Sequence, residues 1–199
     1  MLSRRAMGFG LVELVIAVSI LAILTAAAMP SLTTWVRNSR VRTVADALQS
    51  GLRVAQAEAQ RRTHSVVFFL TNAKTCQDTD TAASNGVNWQ VRLVRDTLST
   101  DDTAAPTVIQ CGVLTDVSSG VGITTTSTAV CFNGDGRQTT LTSPESIGVN
   151  CTAGAAQYAI AASGVSGGDN RPLQVNVTRA GAVRMCDPAK ASTAPDGCR

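Results

Sequence analysis

Residue types that carry acid–base, nucleophilic or metal chemistry are scarce in this chain of 199 residues. It contains one histidine, His64, two lysines and six cysteines. Catalytic triads, zinc sites and lysine nucleophiles each need such residues beside specific partners. No nucleophile or orienting acid can be assigned to His64. The composition therefore disfavours an enzyme and predicts neither a cofactor nor a metal site.

A single carboxylate stands inside a long apolar run near the N-terminus. Residues 9–29 carry one charge, Glu13, and Arg4 and Arg5 precede them. A helix of this length spans about 31 Å, enough to cross the hydrocarbon core of a bilayer. The basic flank predicts a cytoplasmic N-terminus, with the remaining chain on the far side. A carboxylate in this segment costs about 2.5–3.5 kcal/mol on insertion scales, so it requires a partner.

The residues around this carboxylate resemble the processing motif of type IV pilins. The string GFGLVE occupies residues 8–13. In that family a prepilin peptidase cuts after the Gly and methylates the new N-terminal Phe. The resemblance implies cleavage between Gly8 and Phe9. It also implies that Glu13 pairs with the Phe9 amine of a neighbouring subunit as a filament assembles.

Pro30 falls where the same family commonly places a proline that kinks the first helix, because proline lacks an N–H and its ring clashes with the preceding turn. Gly10 stands where Thr is usual. The alternative is a secretory signal peptide cleaved near residues 26–28, which are all alanine. Glu13 argues against this alternative.

Beyond Pro30 the apolar spacing predicts an amphipathic helix that ends near Arg62, with the stripe Val41, Val44, Leu48, Leu52 and Ala55. From residue 65 onward, β-branched and alternating segments predict strands. They are Ser65–Leu70, Asn88–Val94, Val108–Leu114, Gly122–Thr126, Ala129–Phe132, Gln157–Ala161, Leu173–Thr178 and Ala182–Met185. We expect an α+β fold in which an antiparallel β-sheet head packs on the second half of the long N-terminal helix.

Several strings resemble the FimT/GspH branch of minor pilins and pseudopilins. They are ADALQSGLRVAQAEAQRR (residues 45–62), a Trp at the start of the second strand (Trp89), FNGDGR (residues 132–137) and TRAGAVRMC (residues 178–186). The resemblance implies the pilin fold. It divides the chain into a leader (1–8), a membrane-spanning half-helix (9–29), an amphipathic half-helix (30–62) and a periplasmic head (63–199).

All six cysteines lie beyond the apolar segment, on the side predicted to meet an oxidising compartment. Three disulfides are therefore expected. The shortest loops pair Cys186 with Cys198 and Cys131 with Cys151, which leaves Cys76 with Cys111.

Glycine- and asparagine-rich segments predict turns rather than ligand sites. Residues 133–137, NGDGR, lack the ligand series of a calcium loop and fit a tight hairpin. The polar segments 74–86 and 97–106 are predicted to be loops.

A DNA-binding role is an alternative that rests on arginines. FimT-type pilins of naturally transformable bacteria bind DNA through a C-terminal GRxR string, and residues 181–184 read GAVR, so only Arg184 carries over. Arg179 lies close by in sequence, as do Arg171 and Arg199. Against this role, residues 63–199 hold nine Lys and Arg against eleven Asp and Glu, whereas a phosphate-binding face is locally basic.

The principal expectation is a minor type IV pilin that is anchored in the inner membrane by a single pass, has a periplasmic head, and assembles at or near the pilus tip to help initiate the pilus. Its partners would be other minor and major pilins, the prepilin peptidase and the membrane. Two alternatives remain: a FimT-type DNA-binding pilin for natural transformation, and a GspH-like minor pseudopilin of type II secretion.

Overall fold

The helix, strands and turns below belong to a computed structural model that describes residues 10–95, 107–164 and 170–199. The chain divides into two units between Val36 and Arg37. The first holds the N-terminal part of the long helix. The second, which we call the head, holds the rest of that helix and all the strands that the structure describes.

One helix, α1 (Leu11–Arg62), accounts for all the α-helix in the described part of the chain. Before Val36 its large apolar side chains are exposed, and by length and composition it could cross a membrane. Pro30 lies inside α1, which is assigned as one helix across it. A kink at Pro30 stays a prediction.

The C-terminal end of α1 is closed by backbone hydrogen bonds. The Thr63 N–H donates to Gln60 O and the His64 N–H donates to Ala59 O, which is the pattern of a Schellman cap. Thr63 has a φ of 55°, in the left-handed region where a β-branched residue is unusual. This cap turns the chain directly into the first strand, and His64 lies at the helix end.

Within the described ranges, nine strands form two antiparallel sheets. The first sheet has the order β3-β2-β1-β5-β6; its strands are β1 (Val66–Thr71), β2 (Asn88–Leu93), β3 (Val108–Gly112), β5 (Ala129–Phe132) and β6 (Gln138–Thr139). The second has the order β4-β7-β8-β9; its strands are β4 (Val121–Thr125), β7 (Ala156–Ala162), β8 (Leu173–Val177) and β9 (Val183–Cys186).

The α+β architecture predicted from the sequence is confirmed, and each of the eight predicted strands is present with its bounds shifted by one or two residues at most ends. Two features were not predicted. The strand β6 has two residues, too few for an alternating pattern. The division into two sheets is set by pairing between strands distant in sequence, such as β1 with β5, which local patterns do not encode.

The main core of the head lies between the second half of α1 and the two sheets. All five residues of the predicted apolar stripe of the helix are buried there, together with Ala45 and Ala59. They pack on side chains from both sheets, including Phe68, Trp89, Tyr158, Ile160 and Val175. A second cluster covers the other face of the first sheet around Val67, Phe69 and Ile147. The strand β1 is therefore buried on both faces.

Three disulfides join the six cysteines, and they are the three pairs predicted from the shortest loops. Cys76–Cys111 ties the loop before β2 to β3. Cys131–Cys151 ties β5 to the segment before β7, and Cys186–Cys198 closes the C-terminal segment onto β9. Each such closure stabilises a fold by roughly 2–4 kcal/mol, chiefly by restricting the unfolded chain.

Candidate functional site: the N-terminal helix and an arginine-lined cleft

Glu13 lies in the first turn of α1 and is exposed, as are the apolar residues Leu11, Val12 and Leu14 beside it. The positive end of the helix dipole favours a carboxylate in this turn. An exposed acid among exposed apolar side chains is suited to meet a cation on another chain within an apolar contact. Gly8 and Phe9 lie outside the described residues, so cleavage between them and the pairing of Glu13 stay predictions.

In the head, the NGDGR segment forms the predicted tight hairpin between β5 and β6. The Asn133 N–H donates to Arg137 O at 2.9 Å, and the Gly136 N–H donates to Asn133 O at 2.8 Å. The Asn133 side-chain oxygen accepts from the backbone N–H of Asp135 and of Arg137. These bonds fix the hairpin and present Arg137 at its end.

This hairpin is in backbone contact with the turn between β8 and β9. Gly181 has a φ of 93°, and a Cβ built on it would stand 2.0 Å from Gly136 O. The side chain of Gln138 joins the same elements, because its Nε2 donates to Thr178 O at 2.9 Å and its backbone N–H donates to Arg179 O at 3.2 Å. The FNGDGR and TRAGAVRMC strings, distant in sequence, therefore form one structural junction.

The C-terminal end of α1 supports this junction. Gln56 Nε2 donates to Gly136 O at 2.8 Å, and Gln60 Nε2 donates to Asp135 O at 3.3 Å. Amide side chains satisfy hairpin carbonyls here that strand pairing leaves without a donor. The junction is thus held by both sheets and the helix.

A cleft of about 500 Å³ opens at the junction and is lined by Asn133, Arg137, Gln138, Arg179 and Ala180. Both arginine side chains are exposed, and Asp135 stands at the hairpin tip. Guanidinium groups bind carboxylate and phosphate oxygens with paired hydrogen bonds. The cleft therefore has the chemistry to hold an oxyanion.

The arginines singled out from the sequence are not brought together at this cleft. Arg179 lines it, whereas Arg184 lies on β9 opposite Asn176 of β8 and is not among the lining residues. The backbone N–H of Arg171 donates to Asn38, and Arg199 donates to Ser192 O. From the sequence alone, Arg137 is predicted only as part of a turn. No local signal links it with Arg179, because Arg137 lies in the turn between β5 and β6 and Arg179 lies in the turn between β8 and β9.

The segment between β1 and β2 is a loop, as predicted, and a buried arginine fixes it. Arg92 is 1% exposed, and its Nη2 donates to Gln77 O and Asp80 O at 2.7 Å each. Its guanidinium also lies 4.9 Å from the centre of the Phe69 ring. Burial lowers the pKa of Arg92.

A second contact ties this loop to β3. The Asp78 carboxylate accepts hydrogen bonds from the Thr107 hydroxyl and from the backbone N–H of Thr107 and Val108. The bond from the Thr107 hydroxyl is the main reason why the pKa of Asp78 is lowered, and the two backbone N–H groups add to it. With Cys76–Cys111, these bonds present the loop as a fixed surface. The predicted loop at residues 97–106 lies outside the described residues.

Comparison with known proteins gives two family matches. A model described as "Type II transport protein GspH" matches residues 44–181, which is more than half of the chain. A model described as "Prokaryotic N-terminal methylation motif" matches residues 4–29. No match is found among the curated proteins.

Among solved structures, two crystal structures of the type IV minor pilin FimU of Pseudomonas aeruginosa are similar to the chain. One, in space group P21, has a TM-score of 0.49 and 14% identity and covers 78% of this chain and 95% of FimU. The other, in space group P65, has a TM-score of 0.45 and 14% identity and covers 77% and 98%.

The two family matches fall on the two parts of the molecule. The methylation motif covers the apolar start of the chain, and the GspH match runs from the amphipathic half of α1 to the turn after β8. Pilins and pseudopilins of this kind are structural, non-enzymatic proteins, and an exposed apolar helix joined to a disulfide-bonded head fits membrane anchoring. The chain therefore belongs to the family described as "Type II transport protein GspH" and carries the prokaryotic N-terminal methylation motif.

Proposed function

We propose that the chain is a minor type IV pilin that is cut between Gly8 and Phe9, held in the inner membrane with a periplasmic head, and then assembled at or near the pilus tip, where it helps to initiate the filament. The observation that carries this proposal is Glu13, the one charged side chain between Gly10 and Val36. In the membrane, the apolar side chains beside Glu13 would face hydrocarbon, which offers the acid no cation. A subunit that transfers the helix into a filament gives the acid a partner, the Phe9 amine of its neighbour.

The substitution Glu13→Ala tests this proposal in the native host. The variant should still be processed after Gly8, because the cleavage site is unchanged, but its share of the sheared filament fraction should fall at least tenfold relative to the membrane fraction. Ser19→Ala is the matched control, since Ser19 is exposed on the same helix and its hydroxyl bonds within it, to Val15 O. Normal incorporation of the Glu13 variant would overturn the role proposed for this residue.

A pseudopilin of a type II secretion system is a second candidate, and the description of the family model over residues 44–181 favours it. Assembly through Glu13 would be the same in either machine, so a substitution there does not separate them. Deletion of the gene separates the two candidates. Loss of surface pili with normal export of secreted enzymes supports the pilus, whereas retention of those enzymes in the periplasm with normal pili supports secretion.

DNA binding is a third candidate, and the cleft shared by Arg137 and Arg179 is the observation that favours it. Duplex DNA would place a phosphate between the two guanidinium groups. Affinity should therefore fall as salt rises, with a slope of about 0.9 for each phosphate contact in a log–log plot.

A mobility-shift titration of residues 37–199 at low and physiological salt tests this candidate. Binding that survives physiological salt, falls on Arg137→Gln and Arg179→Gln, and persists on Arg184→Gln would place DNA at the cleft. Equal loss with the Arg184 variant would favour the outer face of the second sheet instead. No shift at either salt would remove the candidate.

A further inference from the structure

Exposed apolar side chains continue along α1 beyond residue 29, where the span predicted from the sequence ends. Leu32 is 59% exposed, Trp35 is 69% exposed and Val36 is 39% exposed. Trp35 lies at the end of the apolar segment of α1, and its exposed indole would be unusual in water. Tryptophan is enriched where a membrane-spanning helix meets the lipid headgroups. In the sequence, the next residue is Arg37.

Two different windows of this helix are long enough to cross a bilayer. The window 9–29 places Glu13 within the hydrocarbon and leaves Leu32, Trp35 and Val36 beyond it. The window 14–34 contains no charged residue, and it places Glu13 at one boundary and Trp35 at the other. A charge in the hydrocarbon is costly and an apolar side chain in water is also costly, so both terms favour the second window.

The length of the helix agrees with the second window. Glu13 and Trp35 lie in one continuous helix, twenty-two residues apart in the sequence. At 1.5 Å per residue this separation is about 33 Å, or about 31 Å along the membrane normal at an average tilt of about 20°. The hydrocarbon core of a typical bilayer is about 30 Å thick.

The hydroxyl groups of Ser19, Thr25, Thr33 and Thr34, all in the shifted window, have partners within the helix. Thr33 and Thr34 both donate to Pro30 O, at 2.9 and 3.2 Å. Thr25 donates to Leu21 O at 3.0 Å. Hydroxyls bonded in this way can enter lipid at little cost, because the penalty for a polar group in hydrocarbon falls on groups that lack a partner.

We propose that, before assembly, the lipid-embedded segment of the subunit is residues 14–34, with Glu13 at the cytoplasmic boundary and Trp35 in the headgroup layer at the opposite boundary. A phospholipid bilayer thus covers these exposed side chains, with its hydrocarbon at Leu32 and its headgroup layer at Trp35 and Val36. This inference rests on the membrane anchoring in the proposed function. It adds where the anchor ends and which residue sets its depth.

Tryptophan fluorescence of the full chain in vesicles of phosphatidylethanolamine and phosphatidylglycerol tests the proposal. Phospholipids brominated near the headgroup or deep in the acyl chain serve as quenchers at known depths. The chain has a second tryptophan, Trp89, which is buried in the head, so the difference between the wild type and Trp35→Leu isolates Trp35. We expect loss of Trp35 emission to be greatest with the shallow quencher.

A displaced tryptophan calibrates the depth. The double variant Leu32→Trp with Trp35→Leu moves the indole about 4.5 Å along the helix, toward the hydrocarbon, and its strongest quenching should shift to the deeper bromine. If Trp35 is quenched most by the deep bromine, or only by iodide in water, the proposed boundary is wrong. Either result is compatible with poor incorporation of the Glu13→Ala variant into filaments. The proposed boundary and the assembly proposal can therefore fail separately.

Discussion

At the scale of single residues, a few side chains determine how the head can pack. Trp89 lies between a helix glycine and a strand glycine: a Cβ on Gly51 would stand 3.0 Å from its ring, and a Cβ on Gly112 would stand 2.3 Å from Trp89 Cε2. The ring also stacks on Phe68, at 5.8 Å between centres. The sequence placed Trp89 on the second strand, but it gave no sign that two glycines make room for the ring, because both contacts arise only when distant segments pack.

Gly112→Ala should therefore destabilise the head. The added methyl group cannot share space with a buried indole, so the ring or the strand must shift, at a cost of about 1–3 kcal/mol. Denaturant unfolding of residues 37–199 with intact disulfides measures this change. Gly154→Ala is the matched control, since a Cβ there meets nothing within 4 Å. Equal midpoints for the two variants would show that the glycine at 112 is not required for packing.

At the scale of elements, the helix and strands were predictable and the contacts between distant elements were not. The strand β5 agrees with its predicted bounds, Ala129–Phe132, because β-branched and aromatic residues there lie between turn signals. The apolar stripe of α1 was likewise readable from its spacing. By contrast, the cleft depends on Arg137 and Arg179 lining one site from turns of two different sheets. The anchoring of the first loop depends on the burial of Arg92. Local patterns carry no information on such long-range contacts.

The contact between Asp78 and β3 predicts a pH dependence. Hydrogen bonds hold the pKa of Asp78 below its usual value, so folding favours the ionised carboxylate. Its contribution to stability is present above the unfolded pKa of about 3.9 and is lost as the pH falls through the lower pKa of the folded state.

Asp78→Asn should lower the free energy of unfolding at pH 7 by about 1 kcal/mol or less, because the carboxylate is exposed to solvent. The difference from wild type should shrink as the pH falls below about 4. Denaturant unfolding at several pH values provides the measurement, with the exposed Asp116→Asn as control. A difference that stays constant at acidic pH would show that ionisation of Asp78 does not stabilise the loop.

At the scale of the whole molecule, the two units differ in the exposure of their apolar side chains. The first unit exposes apolar side chains along its length, and the head buries its apolar residues in two clusters and is closed by three disulfides. This division was predictable from the sequence, because the charge-poor run and all six cysteines lie in separate parts of the chain. A molecule of this kind needs a lipid bilayer or a bundle of similar helices around its first unit.

Mass spectrometry of the chain recovered from sheared filaments tests the central claim most directly. The account predicts a protein that begins at Phe9 with a methylated amine and carries three intact disulfides. Such a species would show that the apolar helix is retained and has moved from the membrane into a filament. A chain that begins after residues 26–28, or a mature form confined to the membrane fraction, would contradict the account.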